Sequence, residues 1–163
     1  LPAYSRQRLD EHRLELAAAG APEKLAERLA LCEPAALIPD IAAAARLAGA
    51  DIVAAAKAFF AAGEAFRIPR IEEAVGTIPA SDYYDQLALA RAADTIGSAR
   101  RGIAVAALTA HGTAADPVAA WLEAGGERVG RIRERLQALT EGGDLTVSRL
   151  SVAAGLMNDL TAG

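Results

Sequence analysis

The chain has 163 residues, 53% hydrophobic, 23% charged and only 4% aromatic, with a net charge of −4. This composition excludes a disordered chain, gives room for a single core, and argues against a nucleic-acid partner, which needs a strong positive field. With so few aromatics the core must be built from Ala, Leu, Ile and Val, and because alanine is the best helix former the fold is expected to be all-α.

In chain order, Tyr4 to Ala19 reads as a charged first helix ended by Gly20. Pro22 opens a short helix to Leu31, with Glu23 near its positive end. Pro34 and Pro39 punctuate the next segment, so Asp40 to Ala48 is predicted as a separate helix stopped by Gly49. Asp51 is placed to cap Ile52 to Ala62, the most apolar window, which Lys57 interrupts and Gly63 and Glu64 close. Pro69 starts another short helix ending near Gly76.

Asp82 then caps a long segment, Tyr83 to Ala110, in which Leu89, Ile96 and Ile103 recur one heptad apart with Ala92, Ala99 and Ala106 between them. The link from His111 to Ala115 is short, which favours a helical hairpin with the next segment. That segment, 116–141, is predicted as one helix. Its stripe of Val118, Leu122, Gly125, Val129, Ile132, Leu136 and Leu139 is spaced 4, 3, 4, 3, 4, 3. Gly142 and Gly143 end it, and a last helix runs from Thr146 to Leu160. The expected architecture is one all-α domain over residues 1–163, a helical or orthogonal bundle of about seven to eight helices with two long antiparallel ones.

No stretch approaches the roughly 18 uninterrupted apolar residues of a membrane span, and the charged start LPAYSRQRLDEHR does not read as a signal peptide. The single cysteine, Cys32, forms no internal disulfide and suits a cytoplasmic location, where it reads as a small core residue. Fifteen of the seventeen basic residues are Arg; only Lys24 and Lys57 are lysines. A start at Leu1 rather than Met fits a domain excised from a longer protein.

Residues for chemistry are sparse. His12 and His111 have no second His or Cys at ligand spacing, so no metal site is expected. Asp82 and Asp85 flank Tyr83 and Tyr84, with Arg91 about two turns on; a small helical enzyme would use this acidic group, whereas a cap with first-turn charges and half-buried tyrosines explains it without chemistry. Gly125-Gly126 follows no strand, unlike a dinucleotide loop. Gly126 and Gly130 form a G-x-x-x-G that reads as a close helix crossing, with Glu127 and Arg128 excluding a membrane setting. Arg128, Arg131 and Arg135 share one helical face, either solvated or docking, and Arg100-Arg101 is a similar pair. No catalytic, cofactor-binding or metal residues are therefore assigned. The candidate docking surface is Tyr83, Tyr84, Arg128, Arg131 and Arg135.

Several short segments, in order, resemble a known family. Gly20-Ala21-Pro22-Glu23-Lys24-Leu25-Ala26 is similar to a G-x-P-x-x-L-A segment, and Asp40-Ile41 to the start of a D-I-V stretch with Ala42 for the valine. Phe59-Phe60-Ala61-Ala62-Gly63-Glu64 resembles Y-F-x-x-G-E. Ile78-Pro79 and Asp85-Gln86-Leu87-Ala88 resemble a region reading W-q-x-L-A-R, with Tyr84 where Trp is common and Leu89 where Arg is expected. Trp121-Leu122 and Leu150-Ser151-Val152-Ala153 match its W-L and L-S-V-A elements. Together, from about residue 20 to 160, they resemble the C-terminal helical region of the large-subunit bacterial NAD-specific glutamate dehydrogenases.

That resemblance implies a parent enzyme that converts L-glutamate and NAD to 2-oxoglutarate, ammonia and NADH. Its catalytic lysines, aspartate and Rossmann glycines have no matching positions here. The resemblance thus implies a non-catalytic assembly, regulatory or stabilising domain that binds no NAD itself and contacts the catalytic core of the same polypeptide and other subunits. A stand-alone helical adaptor is the main alternative.

Overall fold

The computed structural model describes Leu14 and Ala18, both helical, and residues 38–66, 78–141 and 145–162. The predicted helices at Tyr4–Ala19, Pro22–Leu31 and Pro69–Gly76, together with His12 and Cys32, lie outside the described residues, apart from Leu14 and Ala18. Among the described residues the chain is all-α, with six helices: α1 Ile38–Ala48, α2 Ile52–Ala65, α3 Tyr83–His111, α4 Pro117–Ala124, α5 Gly126–Glu141 and α6 Val147–Ala162.

The local signals explain most boundaries. Pro39 sits in the first turn of α1, where its missing N–H is no loss, so the helix begins before Asp40. Asp51, Asp82 and Asp116 each take extended backbone and accept a bond from the amide three residues on, at 2.8, 2.7 and 3.0 Å. The Thr146 hydroxyl does the same for Arg149, at 3.2 Å. Gly49 ends α1 at φ +62°. Gly63 does not end α2; it is buried, and the helix continues to Ala65 before the Phe66 amide bonds back to Ala62, at 3.3 Å.

The core is built from small side chains. Thirteen of the twenty-seven buried apolar residues among those described are alanine, and Phe59, Phe66, Ile96, Ile103, Leu136, Leu150 and Met157 supply much of the remaining bulk. Helix α3 is the hub: α6 packs on it most extensively, and α1, α2 and α4 also lie against it. Close approaches mark these contacts. A methyl group on Gly102 would stand 3.0 Å from Thr161 Cγ2 of α6, and one on Gly97 would stand 3.1 Å from the Asp40 carboxylate of α1. That carboxylate also lies 3.8 Å from the Arg101 guanidinium.

The 116–141 segment departs from expectation. It is two helices, broken where Gly126 adopts φ +62°, a left-handed conformation that a side chain opposes. The stripe survives the break: Val118, Val129 and Leu136 are buried, and Leu122, Ile132 and Leu139 are half-buried against the core. Helix α4 turns onto α3, while α5 packs chiefly on α6, so the expected long antiparallel pair is replaced by the pairing of α3 with α6. The G-x-x-x-G is not a crossing point either. A methyl group on Gly126 or Gly130 would meet nothing within 4 Å, and the glycine requirement at 126 comes from the backbone.

Candidate docking surface

The residues singled out from sequence lie on two helices, the tyrosines on α3 and the arginines on α5. Tyr83 and Tyr84 open α3; they are 71% and 80% exposed rather than half-buried. Their rings meet edge to face with centroids 6.0 Å apart. Arg131 and Arg135 are exposed on α5. Arg128 is exposed too, but its Nη2 donates to the Asp159 carbonyl in the last turn of α6, tying α5 to that helix end.

Asp82, in the acidic group at the start of α3, is its N-cap. Asp82 Oδ1 accepts from the Asp85 amide, and Arg91 lies six residues beyond Asp85, about 120° round the helix, exposed to solvent. Among the described residues, no group of three His, Cys, Asp or Glu side chains is gathered to hold a metal, and no helix is long and apolar enough to cross a membrane. The start of α5 at Gly126 follows a helix rather than a strand and has Glu127 in its first turn, unlike the glycine-rich loop of a dinucleotide site.

Arg100 corrects the solvated reading of the Arg100-Arg101 pair. Its side chain is 1% exposed, and its guanidinium carbon stands 4.6 Å from the Phe59 ring centroid. Four residues after Ile96 and three before Ile103, it occupies the inward face of α3, a spacing visible in the sequence but masked by its charge.

Sequence reasoning also missed the outer face of α2. Val53, Lys57, Phe60 and Glu64 recur at 4, 3 and 4 residues and are all exposed, forming one stripe that alternates apolar and charged side chains. Phe60 is 43% exposed and stands edge-on to buried Phe59, with centroids 6.4 Å apart. Two clefts flank this helix. One, of about 770 Å³, lies between the first half of α2 and the turn into α4, with Asp51, Val53, Lys57 and Pro117 on its walls. The other, of about 560 Å³, lies between the second half of α2 and the α4–α5 elbow, with Glu64, Leu122, Val129 and Arg133 on its walls. Ala61 and Asp116 line both, so a furrow accompanies much of the helix. The shape suits a helix or extended chain laid alongside α2 better than a small enclosed ligand.

Comparison with known proteins agrees with the order of short motifs. A family model described as glutamate dehydrogenase, C-terminal, matches residues 1–159. No curated protein and no solved structure matches the chain. With nearly its whole length matched, the chain belongs to the glutamate dehydrogenase C-terminal family.

Proposed function

We propose that this chain acts as one non-catalytic domain of a large-subunit, NAD-specific bacterial glutamate dehydrogenase, serving its assembly, stability or control. The parent reaction is the reversible oxidative deamination of L-glutamate by NAD to 2-oxoglutarate, ammonia and NADH, in the cytoplasm. Its substrate and nucleotide sites belong to another part of the polypeptide, and the partners of this domain are that catalytic core and other subunits, not nucleic acid or membrane.

The family match over residues 1–159 carries this reading. It is supported by the employment of the polar residues that chemistry would need. Asp51, Asp82 and Asp116 cap helices, Arg100 packs on Phe59, and Arg128 closes the end of α6.

The test is a glutamate- and NAD-dependent assay on the purified 163-residue chain, read as absorbance of NADH, with a binding assay against the separately expressed catalytic core. The expected result is no turnover by the chain alone and a stable complex with the core. Turnover by the pure chain would overturn the division of labour.

A further inference from the structure

The outer face of α2 is charged in a way that matches itself. Lys57 and Glu64 lie on the same side of the helix, seven residues apart, with Phe60 between them. At ~1.5 Å per residue they are separated by ~10 Å along the axis, too far to pair with each other. Reversing the direction of an identical helix places Glu64 opposite Lys57 and Lys57 opposite Glu64. The same register sets Phe60 against Ala61, a small half-buried residue, so that an aromatic ring can approach the facing backbone.

We propose that α2 is a self-association face, pairing antiparallel across a two-fold axis with α2 of a second copy of this chain. Isologous contacts require a patch that is its own complement, and this stripe meets that requirement in charge, in apolar centre and in size alternation. The charges also reject the parallel arrangement, which would bring Lys57 to Lys57 and Glu64 to Glu64. Phe60 stands in edge contact with buried Phe59. The furrow beside α2 gives the second helix a bed between α2 and α4. One helix pair buries less than the ~1,200 Å² of a stable complex, so the association is weak and depends on concentration.

This names a partner for the assembly role proposed above, and the two fail separately: turnover by the isolated chain would sink that role and leave the pairing standing. The experiment is sedimentation velocity on the 163-residue chain from ~10 μM to ~1 mM, with circular dichroism as a check that each variant is folded. The wild type is expected to shift from monomer to dimer over that range. Lys57→Glu and Glu64→Lys, each setting like charges together at two symmetric places, are expected to weaken dimerisation at least ~10-fold. The double variant Lys57→Glu/Glu64→Lys restores both pairs and should return to within ~3-fold of wild type. Phe60→Ala should remove the dimer. A wild-type chain that stays monomeric throughout, or a double variant no better than the singles, would overturn the pairing and leave this face to a different partner.

Discussion

The Arg100 guanidinium lies over the ring of Phe59, 4.6 Å from its centroid, with both side chains out of contact with solvent. The pair joins the middle of α3 to the buried face of α2. A planar cation over an aromatic face gains electrostatic attraction as well as packing, and more so where water is excluded.

Replacing Arg100 by Ala is expected to lower stability by ~2–4 kcal/mol, through the void and the lost ring contact. Arg100→Lys keeps the charge but loses the flat stacking surface, and should fall between Ala and wild type. Urea unfolding followed by circular dichroism measures both; a loss below ~1 kcal/mol for Ala would show that the contact adds little.

Glycine substitutions should change sign with backbone geometry. Gly155 is exposed within α6 and a methyl group there meets nothing within 4 Å, so Gly155→Ala should stabilise by ~0.5–1 kcal/mol. Gly126 has equally open surroundings but φ +62°, and Gly126→Ala should destabilise by ~1 kcal/mol. Thermal unfolding of the two variants side by side provides the check. Equal shifts would mean that the elbow does not depend on the left-handed residue.

At Gly125 the obstacle is a side chain. A methyl group there would collide with Cγ2 of buried Val129. Gly125→Ala is expected to cost ~1–3 kcal/mol, and substantially less in a Val129→Ala background. A double-mutant cycle by denaturant unfolding reads the coupling directly.

The cap at Asp82 can be separated from acid chemistry by one pair of variants. Asparagine caps as well as aspartate, so Asp82→Asn should leave stability almost unchanged, while Asp82→Ala should lose ~1 kcal/mol. A loss for Asn equal to that for Ala would assign the residue's value to its charge rather than to the bond with the Asp85 amide.

Local signals explain why much of the fold could be read in advance. The caps at Asp51 and Asp82, the stop at Gly49 and the apolar stripe through Leu136 act within a few residues, and the structure follows them. The break at Gly125-Gly126 stayed hidden because the stripe keeps its spacing across it; periodicity reports which residues turn inward, not whether the axis bends. Arg100 was concealed by the ordinary expectation that charge faces water. The α2 face was passed over because Lys57 reads merely as an interruption of an apolar run, and its relation to Glu64 appears only once both are known to be exposed.

An interior built so heavily from alanine inverts the usual pattern of vulnerability. Many of its positions, such as Ala42, Ala55, Ala104 and Ala153, have little side chain to lose, so truncation removes little there, while enlargement by even a methylene must push helices apart. Harm in this domain should therefore arise mainly through growth: valine or threonine arriving at an alanine of the inner face of α3 would strain several helix contacts at once, since α3 touches α1, α2, α4 and α6. Sequence drift has room outward, toward the solvent, and almost none inward.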